Sequence, residues 1–125
     1  MKKIFVVDDN TSNLLVADEF LSEQYDTYTL SSASFMFGLL TNVLPDVILL
    51  DLLMPEISGY DALRQLKDDE RYKHIPVVII TSKSDAATEA LCLQMGAVDF
   101  IRKPFSKPVL LDRISNLLGD NNETD

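Results

Sequence analysis

The chain has 125 residues, of which 46% are hydrophobic and 25% charged, a composition typical of one globular domain. Eleven basic and twenty acidic residues give a formal net charge of −9, which argues against a nucleic-acid-binding or anionic-membrane-binding surface. The single cysteine, Cys92, excludes an internal disulfide framework, and no apolar run is long enough to cross a membrane, so we expect a cytoplasmic protein.

Five short runs rich in β-branched and aromatic residues predict strands at 4–7, 27–30, 47–50, 77–80 and 98–101. Most of these runs are apolar at every position rather than alternating, which favours strands buried on both faces of a parallel sheet. The second run, Thr27 to Leu30, is more polar and is expected at an edge of the sheet.

Segments with apolar residues three or four apart lie between and after these strands and predict five helices. The expected buried faces are Leu14, Ala17, Phe20 and Leu21; Phe35, Leu39, Leu40 and Val43; Leu63 and Leu66; Leu91, Leu93 and Met95; and Leu110, Leu111, Ile114, Leu117 and Leu118. Ser58 and Ser106 are predicted N-caps, and Gly96 and Gly119 are predicted to end the helices before them.

Alternation of five strands and five helices predicts an α/β fold, (βα)5, with a doubly wound parallel sheet and right-handed crossovers. We expect one domain over residues 1–120, followed by a flexible acidic tail at 121–125.

Polar side chains follow four of the five predicted strands. Asp8 and Asp9 follow the first, Asp51 the third, Thr81 the fourth and Lys103 the fifth. In a parallel sheet these strand ends meet at one edge, where ligands bind, so the five side chains should converge there. Clustered carboxylates resist ionisation unless a cation compensates them, and an oxygen-only ligand set favours Mg²⁺.

Four segments together resemble the response-regulator receiver domain of two-component signalling. They are Val6-Val7-Asp8-Asp9-Asn10, Leu49-Leu50-Asp51-Leu52-Leu53-Met54-Pro55, Ile80-Thr81-Ser82 and Phe100-Ile101-Arg102-Lys103-Pro104-Phe105. The match runs from about residue 3 to residue 118 in the family's order and spacing. The resemblance implies a flavodoxin-like fold with strand order 2-1-3-4-5 and helices on both faces of the sheet.

The resemblance also implies a role for each residue of the site. Asp51 corresponds to the phosphoryl acceptor, while Asp8, Asp9 and Asp51 with the backbone carbonyl of Leu53 correspond to the ligands of Mg²⁺, or alternatively of Mn²⁺. Thr81 corresponds to the hydroxyl that binds the attached phosphoryl group. Lys103 corresponds to the cation beside that group, and its bond to Pro104 is usually cis in the family.

Further positions are implied to govern signalling. Phe100 corresponds to the aromatic switch, expected to turn inward once Thr81 moves toward the phosphoryl group, and Gly59 to the glycine of the loop after Asp51. Leu53 and Lys83 stand where the family controls access of the hydrolytic water, and here they predict a slowly hydrolysing phosphoryl group.

The implied donor is a phosphohistidine on a sensor histidine kinase or histidine phosphotransfer protein, and acetyl phosphate should also serve. The protein is then a signalling phosphoacceptor that catalyses only its own phosphorylation and dephosphorylation. The surface of the fourth helix, fifth strand and fifth helix is expected to bind an output domain, a partner or a second copy in a homodimer.

Three alternative functions fit the sequence less well. A metal-dependent phosphatase with an aspartyl nucleophile needs a second carboxylate two residues after the first, where this chain has Asn10. A flavin- or nucleotide-binding domain needs a glycine-rich loop after the first strand, which the sequence lacks. A purely structural adaptor is disfavoured because every chemical position is filled.

Overall fold

A five-stranded parallel sheet with strand order β2-β1-β3-β4-β5 forms the centre of the computed structural model, which describes residues 1–83 and 85–119. The strands are β1 (Lys3–Val7), β2 (Asp26–Leu30), β3 (Val47–Leu50), β4 (Val77–Thr81) and β5 (Asp99–Arg102). The helices are α1 (Thr11–Leu21), α2 (Ala33–Leu40), α3 (Gly59–Asp68), α4 (Ala86–Gln94) and α5 (Lys107–Leu118). The predicted alternation and strand order are therefore confirmed.

Two apolar clusters, one on each face of the sheet, form the core. One joins alternate residues of the inner strands to α2, α3 and α4, and the other joins the remaining residues to α1 and α5. Because β1, β3 and β4 are covered on both faces, nearly all of their residues are buried, as the uninterrupted apolar runs indicated. The more polar β2 lies at one edge and is only partly buried.

The predicted helix ends agree with the structure. Ser58 and Ser106 each accept a hydrogen bond from the backbone N–H three residues ahead, which satisfies a donor at the start of α3 and α5. Gly96 and Gly119 follow α4 and α5 with φ angles of 113° and 71°, a region that glycine adopts without steric cost.

The predicted buried faces of two helices were wrong in part, although Leu40 is buried and Leu39, Val43 and Met95 pack against the core as expected. Phe35 of α2 is 64% exposed, and Met36 is fully buried in its place. In α4, Leu91 and Leu93 are exposed by more than 40%, whereas Thr88 and Cys92, four residues apart, face the core. Both helices carry apolar residues all round, so the apolar pattern alone does not define one buried stripe.

The predicted boundaries also shift by a residue at β5, which spans Asp99–Arg102, and Val98 before it is exposed. No helix among the described residues has the length and apolar character needed to cross a membrane. The predicted tail at 121–125 lies outside the described residues.

Candidate functional site

Two buried aspartates stand at the carboxyl ends of neighbouring strands, Asp8 after β1 and Asp51 after β3. The backbone N–H of Asp8 donates to the carbonyl of Leu30 and that of Asp51 to the carbonyl of Val7, both at 3.0 Å. These bonds extend the sheet by one residue and fix the direction of each side chain. Asp8 is 4% and Asp51 6% exposed, so both carboxylates lie largely away from water.

Asp9 completes an acidic group with these two residues. One carboxylate oxygen from each of Asp8, Asp9 and Asp51 lies within 4.8 Å of the other two, and Asp9 is exposed to solvent. Hard oxygen ligands on a half-open site fit a divalent cation such as Mg²⁺, which keeps several water ligands of its own. The structure therefore brings together the three carboxylates that the sequence predicted as metal ligands.

Lys103 places its ammonium group among these carboxylates. Its Nζ lies 2.6 Å from Asp8 Oδ2 and 3.3 Å from Asp51 Oδ2, and the side chain is 13% exposed. The backbone N–H of Lys103 donates to the carbonyl of Thr81 at 3.0 Å, and the peptide bond to Pro104 is cis, as expected. The ammonium is thus held at the edge of the sheet between two carboxylates that would otherwise repel each other.

Burial raises the pKa of Asp51 above the ordinary value for an aspartate. The positive charge of Lys103 opposes this shift, and the negative charge of Asp8 adds to it. Because the Asp51 carboxylate is partly desolvated, its charged form is less stable than in water and depends on a nearby cation. A carboxylate in such surroundings is suited to act as a nucleophile.

Thr81 is fully buried at the end of β4, and its Oγ1 accepts a hydrogen bond from the backbone N–H of Lys83 at 3.2 Å. Because the hydroxyl acts as an acceptor there, its hydrogen is available to an anion. Lys83 Nζ lies 3.9 Å from Asp85 Oδ2, and its side chain is 49% exposed. Leu53 is 51% exposed, and its backbone N–H lies 3.5 Å from Asp51 Oδ1.

Phe100 is only 8% exposed and belongs to the core cluster on the α3 and α4 side of the sheet. In this structure the Phe100 ring already points into the core. It therefore does not have the outward orientation from which the predicted inward rotation would begin. The adjacent backbone is tied to α5, because Arg113 NH1 donates to Asp99 Oδ1 at 2.8 Å and approaches the Phe100 carbonyl at 3.4 Å.

Gly59 packs directly against the backbone of the loop after β3. Its N–H donates to the carbonyl of Leu52 at 2.8 Å. A Cβ at this position would collide with the carbonyl oxygen of Asp51 and would lie 2.8 Å from the carbonyl carbon of Asp51. The first residue of α3 therefore touches the backbone that carries Asp51, and only glycine leaves enough room.

Asn10 has a structural role that was not predicted from the sequence. Its N–H donates to Asp8 Oδ1 at 3.0 Å, and its own Oδ1 accepts from the N–H of Asn13 at 3.1 Å, capping α1. Asparagine immediately before a helical segment is a recognised N-cap signal, so this link could have been predicted. Asn10 therefore connects the side chain of Asp8, a candidate metal ligand, to the N-terminus of α1.

Comparisons with known proteins agree with this geometry. The family model of the response regulator receiver domain matches residues 4–115. The polar-differentiation response regulator DivK of Brucella ovis is 35% identical, over 95% of this chain and 98% of DivK. A probable cyclic di-GMP phosphodiesterase of Vibrio cholerae is 34% identical over 98% of this chain, which spans only 28% of that protein.

Solved structures extend the likeness to three dimensions. The receiver domain of a signal transduction histidine kinase from Syntrophus aciditrophicus superposes with a TM-score of 0.86 and 32% identity. That match covers all of this chain and 96% of the other. The strand order, the acidic edge of the sheet and these matches lead to one conclusion: the chain belongs to the response regulator receiver domain family.

Proposed function

We propose that this domain accepts a phosphoryl group on Asp51 from a phosphohistidine in a step that depends on Mg²⁺. The observation that carries the proposal is the ammonium of Lys103, which lies 2.6 Å from Asp8 Oδ2 and 3.3 Å from Asp51 Oδ2 inside an acidic group. A buried cation between carboxylates is suited to receive the negative charge of an incoming phosphoryl group.

The chemistry requires positioning and charge compensation more than covalent assistance. A carboxylate oxygen of Asp51 forms the new bond to phosphorus as the bond from phosphorus to the imidazole nitrogen of the donor breaks, and the imidazole leaves with that electron pair. Lys103 pairs with one phosphoryl oxygen. Thr81 donates its hydroxyl hydrogen to another, since its Oγ1 already accepts from the N–H of Lys83.

Asp8, Asp9 and Asp51 would hold Mg²⁺ together with the backbone carbonyl of Leu53, and Mn²⁺ has the same ligand preference. Bound there, the ion supplies positive charge that offsets three carboxylates and the phosphoryl oxygens. Receiver domains bind Mg²⁺ through an acidic pocket of this kind, and the donor set here contains only oxygen.

We propose that phosphorylation acts on the surface formed by α4, β5 and α5. Movement of Thr81 toward the phosphoryl group would change the packing of Phe100, whose backbone is joined to α5 through Arg113 and Asp99. This surface would then favour or release an output domain, a partner protein or a second copy.

Leu53 and Lys83 are proposed to slow hydrolysis of the aspartyl phosphate. Leu53 is half exposed and has no polar group with which to orient a water. Lys83 Nζ is 3.9 Å from Asp85 and side-chain exposed, so it can exchange this weak contact for a phosphoryl oxygen.

In the cell the donor would be a sensor histidine kinase or a histidine phosphotransfer protein, with the reaction in the cytoplasm. Residues 1–120 would act as the receiver, catalysing only their own phosphorylation and dephosphorylation. DivK, of nearly the same length, and the longer Vibrio cholerae protein match this chain equally well, so both a separate receiver and one joined to an output domain are consistent with the proposal.

Intact mass spectrometry after incubation with acetyl phosphate tests the proposal. We expect a gain of one phosphoryl group that requires Mg²⁺ and is absent in Asp51→Asn. Labelling in Mg²⁺-free buffer, or undiminished labelling of Asp51→Asn, would contradict it.

A further inference from the structure

The edge of the sheet formed by β2 and α2 differs in charge from the rest of the molecule. From residue 27 to residue 45 the sequence contains no Asp, Glu, Lys, Arg or His, although 25% of the chain is charged and its net charge is −9. Asp26 and Asp46 flank this stretch. Exposed helices normally carry charge on the solvent side, so an uncharged outer face requires an explanation.

The outer side of α2 is apolar where it faces away from the rest of the protein. Phe37 lies on the flank toward α3, because it lines a cavity together with Gln65 and Tyr72. Phe35 and Leu39, about one helical turn apart, therefore lie on the opposite flank of α2, and Val43 follows in the turn after the helix. Phe35 is 64% exposed, and the other two are partly buried.

The free edge of β2 has none of the usual protection against pairing with another strand. Within residues 1–83 and 85–119, β2 pairs only with β1. Beyond Asp26 it contains no charged residue and no proline, the two residue types that commonly block edge pairing.

The backbone groups available at this edge can be identified. Asp26 N–H bonds to the carbonyl of Lys2 at 2.9 Å, and the Leu30 carbonyl accepts from Asp8 N–H at 3.0 Å, so both residues face β1. Because direction alternates along a strand, the N–H and C=O groups of Thr27 and Thr29 face outward. The hydroxyl oxygen of Thr27 is also buried without a hydrogen-bond partner, the one such side-chain atom in the described part of the chain.

We propose that this edge is a self-association surface, on which β2 pairs antiparallel with β2 of a second copy around a twofold axis at Tyr28. In this register Thr27 and Thr29 of one copy lie opposite Thr29 and Thr27 of the other, and two sheets become one. A threonine pair opposite each other on adjacent strands can hydrogen-bond, which offers a partner to the Thr27 hydroxyl once it rotates from its buried position toward the edge.

The dimensions of the molecule fit this arrangement. α2 packs over both β1 and β2, so its axis lies about one strand spacing from the twofold axis. The two α2 helices would then be about 10 Å apart, which is the distance at which helices pack. Phe35 and Leu39 would meet their counterparts there.

Electrostatics favour a second copy at this edge over approach by other faces. Two chains of charge −9 repel, and on the α2 side of the sheet the β2 edge lets them meet without a charged side chain near the axis. The register separates the two Asp26 carboxylates by about 14 Å. On the opposite face of the sheet, α1 packs on β2 and carries exposed Glu19, and exposed Glu23 follows in the turn after it, so salt should strengthen association.

Sedimentation velocity on the full chain tests the proposal. A five-residue strand and a short helix make a small interface, so we expect weak dimerisation as the concentration rises toward about 1 mM. Thr29→Lys and Phe35→Lys should each raise the dissociation constant by about tenfold or more. Val109→Lys, at a 44% exposed site on α5, is the matched control and should leave it within about twofold.

Disulfide trapping tests the register. Tyr28→Cys at the axis should crosslink to itself on oxidation, whereas Thr29→Cys, in a diagonal position about 7–8 Å from its counterpart, should not. The wild-type chain is the blank because Cys92 is buried. The proposal would be overturned if the chain stays monomeric at every concentration. It would also be overturned by a dimer that Val109→Lys weakens and Thr29→Lys does not, or by crosslinking at position 29 but not at position 28.

Discussion

Lys103 places an ammonium group beside two buried carboxylates of the site. Its ammonium compensates two buried carboxylates, and removing one partner of a buried ion group leaves uncompensated charge in a poorly solvated place. We expect Lys103→Gln to lower the free energy of unfolding by about 3 kcal/mol in metal-free buffer, with Mg²⁺ restoring part of the loss.

Urea denaturation with and without Mg²⁺ measures this effect. Lys107→Gln is the control, because Lys107 Nζ lies 3.9 Å from an exposed Glu23 and such surface pairs contribute at most about 1 kcal/mol. Equal stability of the two variants would show that Lys103 does not compensate the acidic group.

The lifetime of the phosphorylated state is predicted to depend on Leu53 and Lys83. Amide and carboxylate side chains at these positions can hold a water for attack on phosphorus, so Leu53→Asn/Lys83→Glu should decay about tenfold faster, equivalent to about 1.4 kcal/mol of activation free energy. Decay of the phosphorylated form is followed after donor removal at fixed Mg²⁺. An equal or slower rate in the double variant would mean that these side chains do not control water access.

At the scale of elements, the chain provides two glycines at helical positions with opposite surroundings. Gly59 touches the backbone of Asp51 and Leu52, whereas nothing lies within 4 Å of the position that a Cβ would take at Gly38. Gly59→Ala should therefore destabilise the protein by about 1–3 kcal/mol and slow phosphorylation by displacing Asp51. Gly38→Ala should instead stabilise it by about 0.5–1 kcal/mol, since alanine favours the helix.

Thermal and urea unfolding of both variants decides this point. Similar stability of the two variants would show that the loop after β3 can move away from α3 at little cost, contrary to the close packing of Gly59.

The elements also show how far sequence reasoning extends. Strand runs, caps and the polar residues at strand ends are local signals, so the sheet and the positions of Asp8 and Asp51 could be predicted. The buried stripes of α2 and α4 could not, because Phe35 and Leu91 are as apolar as the residues that face the core. The ion pair of Lys103 with Asp8 joins residues 95 apart in sequence, and its distance depends on the assembled sheet.

On the scale of the whole molecule, the two edges of the sheet are assigned different roles. The β5 edge, with α4 and α5, is the proposed output surface, and the β2 edge is the proposed self-association surface. A phosphoryl mimic bound at Asp51 should shift amide NMR signals across residues 85–118 as well as around the site, because Thr81 and Phe100 connect the two regions. Shifts confined to the Asp51 pocket would contradict an output role for the β5 edge.

The central claim is that Asp51, and no other residue, receives the phosphoryl group when Mg²⁺ is bound. Borohydride reduction of the labelled protein converts an aspartyl phosphate to homoserine, and peptide mass spectrometry then locates it. We predict homoserine at position 51 alone, formed with Mg²⁺ and absent without it. The account would be contradicted by homoserine at position 8 or 9, by phosphate on His74, or by modification of Asp51 without metal.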